Sequence, residues 1–159
     1  MQYQAVVFDM DGVIFDTERL VIGFWKEVAK KHNIPNVEHT CIQCLGTNRV
    51  RTREIFLENY GADFPYDPYR AEVTELFNTH YKGVPLPTKP GVRELLSYLQ
   101  EQDIKVGLAS STAQHLVRDE IGTAGLLPYF QTLVCGDMVE HSKPAPDIFL
   151  KACEILNAD

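Results

Sequence analysis

The sequence predicts an α/β fold, in which a parallel sheet is interrupted after its first strand by a helical insertion. Three short apolar runs, at 4–8, 104–109 and 132–135, are each followed by glycine or polar residues and are typical of buried strands. Around the later runs, apolar residues recur at helical spacing. Strands that alternate with helices form parallel sheets with right-handed crossovers.

The segment from 17 to about 82 shows helical periodicity alone, which predicts the insertion. Asp16 or Thr17 can cap its first helix. Asp67-Pro68 has the cap-then-proline pattern of a helix start. The predicted helices of the insertion are 17 to about 32, about 37–44, one ending near Tyr60, and one beginning at Asp67-Pro68.

The pattern changes after a proline-rich connector at 83–87. Pro90 is placed to open the next helix, Thr112 to cap the one after it, and Pro146 to open the last. We therefore predict a discontinuous core domain and an inserted domain. Their predicted ranges are 1–16 with 84–159, and 17–83.

Composition and charge exclude several classes of protein. The chain has 159 residues, 45% hydrophobic and 23% charged, which indicates a folded globular domain rather than a disordered chain. A net charge of −7 disfavours sequence-independent binding to nucleic acid, which needs a basic surface. No apolar stretch approaches the roughly 18 residues that span a bilayer. No basic-then-apolar leader precedes the first strand, so we expect a cytoplasmic protein without a membrane partner.

Four cysteines raise the question of a metal or redox site. Cys41-x-x-Cys44 has His39 nearby, but a zinc site needs about four ligands. Cys135 and Cys153 lack the tight spacing of a second pair. We interpret all four as small apolar side chains in a reducing compartment.

Two carboxylates follow the first predicted strand. Asp9 and Asp11 come at the carboxyl end of that strand, where open α/β sheets bind ligands. Two acids there suit Mg²⁺ bound together with substrate phosphates. They also suit covalent chemistry, with one carboxylate as nucleophile and the other as proton carrier. Taken alone, the stretch is equally typical of an acidic turn.

Polar residues also follow the second and third strands. Ser110-Ser111-Thr112 leads into a helix, where hydroxyl and N–H groups can bind an anion. Lys143 lies after the third strand, on a loop stiffened by Pro144 and Pro146. A nucleophile, a metal site, an anion-binding hydroxyl and a fixed cation are the parts that phosphoryl transfer needs. Parallel strands would bring all of them to one sheet edge.

These stretches resemble the motifs of the haloacid dehalogenase superfamily. The segment 9–18 (DMDGVIFDTE) resembles the first motif, Ser110 the second, and Lys143 within 142–147 (SKPAPD) the third. Their order and spacing agree over essentially the whole chain. The insertion resembles the cap domain of the β-phosphoglucomutase-like subgroup. The resemblance implies a Rossmann-like core with a helical cap, and a Mg²⁺-dependent phosphohydrolase.

The resemblance also implies roles for individual residues. Asp9 would be the nucleophile that forms an aspartyl-phosphate, and its carboxylate would bind Mg²⁺. Asp11 would be the general acid/base and would offer its main-chain carbonyl to the metal. Ser110 and the N–H of Ser111 would hold the phosphoryl group, and Lys143 would neutralise it. Dehalogenases of the superfamily lack the second acid, so Asp11 favours phosphate chemistry.

Substrate choice is expected to lie mainly in the cap. Arg49 could clamp a second phosphate or an acidic group, and it could equally be a solvated arginine. Val21 stands where β-phosphoglucomutases have a histidine that gates the acid/base residue, which favours a phosphatase over a phosphosugar mutase. The predicted substrate-binding residues are Thr17, Trp25, Gly46, Arg49, Ser111 and Thr112.

The family's fourth motif has no counterpart in this sequence. That motif supplies acidic residues that complete the Mg²⁺ site, and its strand lies beside the first strand in the family's sheet. The first strand is apolar on both faces, as a central strand would be. We therefore expect its edge to be uncovered and prone to self-association, and the 159 residues to be a piece of a longer hydrolase or to be covered by another chain.

Four functions are compatible with the sequence. The first is a Mg²⁺-dependent phosphatase of small phosphorylated metabolites, such as sugar phosphates. The second is a phosphosugar mutase. The third is a non-catalytic phosphoacceptor module similar to receiver domains, although these are shorter and carry no helical insertion. The fourth is a truncated, inactive member of the family.

Overall fold

The computed structural model describes residues 3–47, 49–141 and 143–158. Short 3₁₀ turns at Leu127–Tyr129 and Gly136–Met138 supplement the longer elements. Those elements are, in order, β1 (Ala5–Phe8), α1 (Thr17–His32), α2 (Val37–Gln43), α3 (Arg49–Tyr60), α4 (Tyr66–Tyr81), α5 (Val92–Glu101), β2 (Lys105–Ser110), α6 (Gln114–Thr123), β3 (Thr132–Cys135) and α7 (Asp147–Leu156).

The chain divides into two compact units. One, here called the sheet unit, comprises Met1–Asp16 and Gly83–Asp159, and the other, the helical unit, comprises Thr17–Lys82. In the described part of the chain, no helix is long and apolar enough to cross a membrane.

The sheet unit contains a parallel three-stranded sheet in the order β1-β2-β3. Helix α7 packs against all three strands, α5 packs against β2, and α6 against β3. The buried side chains Ala109, Val134, Ile148 and Ala152 join the sheet to α7. The predicted α/β fold class is confirmed, because parallel strands alternate with helices that bury their apolar faces on the sheet.

Strand β1 is an edge strand in the described part of the chain. It pairs with β2 alone, and all four of its residues are only partly buried, whereas β3 is buried throughout. The uncovered edge that the sequence predicts is therefore confirmed. No second strand bonds to β1 within the described residues, as expected if the strand that lies beside it in the family's sheet has no counterpart in this sequence.

The helical unit has its own core, and aromatic rings dominate it. Trp25, Phe56 and Tyr66 are each at most 2% exposed. The ring centroids of Trp25 and Phe56 lie 4.5 Å apart, and those of Phe56 and Tyr66 lie 5.1 Å apart. Such contacts between large rings supply most of the apolar area that a small helical unit can bury.

Cys41 belongs to this aromatic core, and all four cysteines are free thiols. Burial, reinforced by the nearby Cys44 and Glu38, raises the pKa of the Cys41 thiol to about 12. A thiol with so high a pKa is a poor nucleophile and a poor metal ligand, because both roles need the thiolate. This agrees with the interpretation of Cys41 as an apolar core residue.

Helix α4 begins earlier than the sequence predicts. Its first residue is Tyr66 and its N-cap is Pro65, so Asp67 and Pro68 lie in the first turn instead of at the cap and first position. Proline is tolerated there because the first-turn N–H groups have no intrahelical partner. The start of the helix is set by burial of Tyr66 in the aromatic core.

Candidate functional site

The three parallel strands end at one edge of the sheet unit. Phe8 pairs with Leu108, and Ser110 pairs with Cys135. Asp9, Ser111 and Gly136 therefore follow their strands at the same edge, which is the edge where ligands bind in open α/β sheets. The strand register thus brings together residues that are far apart in the sequence.

Lys143 joins the ends of β1 and β2. Its Nζ lies 2.7 Å from Oδ1 of Asp9 and donates a hydrogen bond of 3.0 Å to the main-chain oxygen of Ala109. The ring centroid of Phe149 lies 4.9 Å from the same Nζ. These three contacts hold the ammonium beside the Asp9 carboxylate, where it can attract an anionic ligand.

The two carboxylate oxygens of Asp9 have different surroundings. Oδ1 accepts the contact from Lys143 and also a 2.7 Å hydrogen bond from the N–H of Met10. Among the described residues, Oδ2 has no hydrogen-bond partner. The side chain is 40% exposed, so Oδ2 is open to a ligand while Oδ1 fixes the orientation of the group.

Ser110 is fully buried at the end of β2, and its hydroxyl organises the next loop. Its Oγ accepts a 3.1 Å hydrogen bond from the N–H of Thr112. The N–H of Gly136 in turn donates to the main-chain oxygen of Thr112 at 3.1 Å. The loops that follow β2 and β3 are therefore connected at the main chain, and Ser111 between them is exposed.

Thr112 does not cap α6, contrary to the sequence prediction. The helix begins at Gln114 with Ala113 at the N-cap, and no side chain of the N-cap residue bonds to it. Instead the carboxylate of Asp137 accepts the N–H of Gln114 at 3.1 and 3.2 Å. A contact from the loop after β3 replaces the local cap, and an acid at a helix N-terminus is favourable.

Sequence reasoning missed the role of Gly136. A Cβ atom at this position would lie 2.3 Å from the main-chain oxygen of Ser111, a distance that side chains do not tolerate. Only glycine lets the two loops approach this closely. The available signal was a glycine directly after a strand, which often marks a close backbone approach.

Glu120 was also missed, although it influences the electrostatics of the site. Burial, together with the negative charges of Asp11 and Asp119, raises the pKa of this α6 carboxyl to about 7. The sequence offered no signal for the raised pKa of Glu120, because an acidic residue on an amphipathic helix is expected to face solvent.

Asp9 and Asp11 offer the donors that a magnesium ion prefers. Their carboxylate oxygens, together with the main-chain carbonyl of Asp11, are hard oxygen ligands, and Mg²⁺ is commonly held by one or two carboxylates plus water and substrate phosphate. Within the described residues there is no cluster of three or more His, Cys, Asp or Glu side chains that could hold a metal. The donor set therefore fits Mg²⁺ held by the Asp9 carboxylate and the main-chain carbonyl of Asp11, with water and substrate phosphate as further ligands.

The predicted substrate-binding residues of the helical unit have varied surroundings. Gly46 and Arg49 are exposed, with Gly46 at φ 73° and Arg49 opening α3. Thr17 is 7% exposed at the start of α1. Trp25 is 2% exposed and packs within the aromatic core, where its large apolar ring is removed from water, and its contact with substrate stays a prediction.

Parts of two predicted motifs lie outside the described residues. They are Asn48, in the loop before α3, and Ser142, which precedes Lys143. Val21, the residue that replaces the gating histidine, is partly buried against the aromatic core, as its apolar side chain favours.

Comparison with known proteins identifies relatives of this chain. Residues 6–159 match the family model described as haloacid dehalogenase-like hydrolase. A phosphorylated carbohydrates phosphatase of Thermotoga maritima is 32% identical over 97% of this chain and 71% of its own length. A beta-phosphoglucomutase of Bacillus subtilis is 34% identical over 97% of this chain and 70% of its own length. A fructose-1-phosphate phosphatase of Escherichia coli is 30% identical over 94% of this chain and 78% of its own length.

A solved structure shows the same similarity in three dimensions. The crystal structure of a Thermotoga maritima protein described as a beta-phosphoglucomutase superposes with a TM-score of 0.73 at 32% identity. The superposition covers 98% of this chain and 72% of that one. The chain therefore spans about seven tenths of that protein's length, and the Rossmann-like core with a helical insertion is confirmed.

Proposed function

The chain is a phosphatase-type member of the haloacid dehalogenase-like hydrolase family, and we propose that it hydrolyses small phosphorylated metabolites through an aspartyl-phosphate on Asp9. The observation that carries this proposal is the 2.7 Å contact between Lys143 Nζ and Asp9 Oδ1. It leaves Oδ2 of Asp9 available beside a fixed cation, at the sheet edge that also carries Ser110 and Ser111.

The proposed reaction has two displacement steps. In the first, Oδ2 of Asp9 attacks phosphorus, and the bond from phosphorus to the ester oxygen breaks as Asp11 donates a proton to the leaving alcohol. In the second, Asp11 accepts a proton from a water molecule, which attacks the aspartyl-phosphate and releases inorganic phosphate. Both Asp9 and Asp11 return to their starting states.

Charge stabilisation at the phosphoryl oxygens is assigned to three groups. Lys143 would contact one oxygen through its ammonium, while the Ser110 hydroxyl and the Ser111 N–H would donate to others. Donors already held in place stabilise a charged transition state without reorganising, and each is commonly worth about 10²–10³-fold in rate. The N–H of Gly136 bonds to the main-chain oxygen of Thr112, which connects the loop that carries Ser111 to the loop after β3.

Magnesium fits the proposed site as a cofactor. The carboxylate of Asp9 and the main-chain carbonyl of Asp11 would hold the ion. When bound, Mg²⁺ supplies neutralisation of phosphate charge that would otherwise repel the Asp9 nucleophile.

The helical unit is proposed to act as the cap that selects the substrate. Two of the relatives are named for phosphorylated carbohydrates, which supports sugar phosphates as the substrate class. Exposed Arg49 is a candidate ligand for an acidic group of the substrate. The Trp25 ring is left out of this proposal because it is buried.

Phosphosugar mutase activity is the second candidate, because one relative is named a beta-phosphoglucomutase. A mutase must transfer the phosphoryl group from the aspartyl-phosphate back to a sugar and exclude water from that intermediate. Val21 offers no polar atom to gate the acid/base residue, so hydrolysis is favoured.

The proposal is tested by phosphate release from p-nitrophenyl phosphate and from a panel of sugar phosphates, with and without Mg²⁺. Asp9→Asn is expected to lower turnover by about 10⁴–10⁶-fold, as loss of a catalytic nucleophile does. The matched control is Asp63→Asn, at an exposed position in the helical unit, which is expected to leave turnover unchanged. Turnover that survives Asp9→Asn would reject the mechanism.

The mutase alternative is distinguished by its products. Conversion of one sugar phosphate into another, with dependence on a sugar bisphosphate, would favour the mutase. Stoichiometric release of inorganic phosphate without isomerised sugar would favour the phosphatase.

A further inference from the structure

The segment between β3 and α7 carries Lys143, and its own main chain does little to fix it. The described residues of 140–145 form no main-chain to main-chain hydrogen bond with one another or with the rest of the described chain. Pro144 and Pro146 restrict the backbone φ angle but donate no hydrogen bond. The contact with Asp9 holds only the far end of the Lys143 side chain. Side-chain contacts must therefore hold the main chain from which that side chain extends.

Helix α7 supplies such contacts from two of its side chains. Lys151 Nζ donates a hydrogen bond to the main-chain oxygen of Met138. Oδ2 of Asp147 lies 2.8 Å from Nδ1 of His141. Because α7 packs against all three strands, a residue bound to α7 is held in place relative to the sheet. The segment before α7 is thus attached to the helix that it leads into.

The pair of His141 and Asp147 is the contact that flanks Lys143 in the sequence. The two residues are six positions apart, and Lys143 lies between them. A contact that closes a short segment removes much of the conformational freedom of the residues within it. The ring centroid of Phe149, also on α7, lies 4.9 Å from Nζ of Lys143. Helix α7 therefore constrains both the main chain and the ammonium of this lysine.

Asp147 is suited to accept a hydrogen bond from His141. The hydrogen bond from the His141 ring is the main cause that lowers the pKa of the Asp147 carboxyl, and the charge of that ring and the main-chain N–H groups of the same two residues act in the same direction. Asp147 also opens α7, where a negative charge is favourable. The acceptor is therefore ionised at neutral pH, and a hydrogen bond to an ionised acceptor is stronger than one to a neutral acceptor.

The exposure of this pair limits its effect to its surroundings. The side chain of His141 is 66% exposed and that of Asp147 is 33% exposed. Exposed pairs change an equilibrium by at most about five-fold, which is too little to decide whether the sheet unit folds. Removal of the pair should therefore change the order of Lys143 without unfolding the sheet unit.

We propose that His141 is a positioning residue for Lys143. Its bond to Asp147 keeps the lysine main chain at the place from which the ammonium contacts Asp9, and the imidazole itself does not touch the phosphoryl group. The catalytic consequence rests on the proposed function of Lys143, whereas the order of Lys143 can be measured without turnover. His141 lies just before the stretch 142–147 that resembles the third motif, so the resemblance does not assign it a role.

The first experiment measures hydrogen exchange of the Lys143 ammonium in the ¹⁵N-lysine-labelled full chain, with the signal assigned by its loss in Lys143→Arg. His141→Ala is expected to speed this exchange by about 3–5-fold, because the ammonium spends more time away from its acceptors. His141→Asn keeps a side-chain donor near the position of Nδ1 and is expected to exchange at the parent rate. The matched control is His39→Ala, at an exposed histidine that bonds to Gln43 in the helical unit, and it should leave the rate unchanged.

The second experiment asks whether His141 acts through Lys143. The affinity for inorganic phosphate is measured at constant ionic strength from the shift of the Ser111 amide. His141→Ala is expected to weaken phosphate binding by about 3–5-fold in the parent and to have no effect in Lys143→Gln, since a residue that acts only through Lys143 loses its influence with it. A residue with a general structural role would weaken binding equally in both backgrounds.

Three outcomes would overturn the proposal. They are an unchanged exchange rate in His141→Ala, an exchange rate in His141→Asn as fast as in His141→Ala, and an equal loss of phosphate affinity with and without Lys143. If the parent does not bind phosphate, the proposed function is rejected, and the ammonium exchange rates alone decide whether His141 positions Lys143. Circular dichroism of each variant checks that the sheet unit stays folded.

Discussion

The sheet unit and the helical unit bring polar residues together by different means. In the sheet unit, strand register places Lys143 within 2.7 Å of Asp9, although the two belong to distant motifs. In the helical unit, Arg70 and Thr74 bond through helical spacing, and Arg49 lines the same pocket as these two residues from a different helix. Main-chain hydrogen bonds make the first arrangement predictable from motif order, whereas side-chain packing decides the second.

The two units also differ in what stabilises them. The helical unit has several surface ion pairs, such as Lys26–Glu38 and Arg51–Glu58, whose side chains are about half exposed. Pairs of this kind contribute only about 0–1 kcal/mol each. Its stability therefore depends on the aromatic core, while that of the sheet unit depends on buried aliphatic residues between strands and helices.

The largest expected effect comes from removing a ring of the aromatic core. Phe56→Ala should lower the free energy of unfolding by about 3–5 kcal/mol, because it deletes a residue 1% exposed that contacts Trp25. Trp25 is the one tryptophan of the sequence, so its fluorescence reports unfolding of the helical unit alone. Chemical denaturation followed by fluorescence and by circular dichroism measures the effect.

The matched variant in the sheet unit is Leu108→Ala, at a fully buried position of β2. It should cost about 2–5 kcal/mol and shift the circular dichroism transition. Coincident fluorescence and dichroism transitions in both variants would show that the two cores unfold together, and would break the distinction between them.

An intermediate effect is expected where the loops of the sheet unit approach each other. Gly136→Ala should cost about 1–3 kcal/mol, because the added methyl group would overlap the Ser111 carbonyl. It should lower turnover by more than the loss of stability explains, since it displaces the Ser111 N–H. Thermal unfolding and kinetics measured on the same preparation separate the two effects.

The control for this variant is Gly23→Ala in α1, where nothing lies within 4 Å of the added Cβ. Replacement of a helix-interior glycine by alanine should raise the free energy of unfolding by about 0.5–1 kcal/mol. Equal effects of the two substitutions would mean that the close approach at Gly136 does not constrain the loops.

The smallest effect concerns the pH dependence of stability. The folded-state pKa of Glu120 is raised from 4.5 to about 7, so the folded chain holds its proton more tightly than the unfolded chain. The stabilisation that protonated Glu120 gives the folded chain is complete below the unfolded-state pKa of 4.5. It is lost as the pH rises through the folded-state pKa of about 7. Glu120→Gln should therefore flatten the decline in stability between pH 5 and 8, by about 1–2 kcal/mol after allowance for partial exposure.

Denaturant titrations at several pH values measure this difference, with Glu101→Gln as a control at an exposed position. The control should leave the pH dependence unchanged. A pH profile of Glu120→Gln identical to the parent would mean that Glu120 is ionised throughout this range.

The sequence by itself determined the strands, the insertion and the convergence of Asp9, Ser110 and Lys143. Each of these depends on local patterns: short apolar runs, helical periodicity, and polar residues directly after strands. Parallel strands carry their end residues to one edge, so motif order was enough to group the candidate catalytic residues. The structure places Asp9 and Lys143 in contact, as that order predicts.

Only the tertiary structure decided the contacts that depend on distant neighbours. Asp137 takes the place of Thr112 at the start of α6, and Trp25 packs in the aromatic core of the helical unit. Gly136 is required by the Ser111 carbonyl, and the pKa of Glu120 is raised by burial and by Asp11. In each case the deciding energy is steric or electrostatic and acts between residues whose proximity is produced by the fold, so no local pattern encodes it.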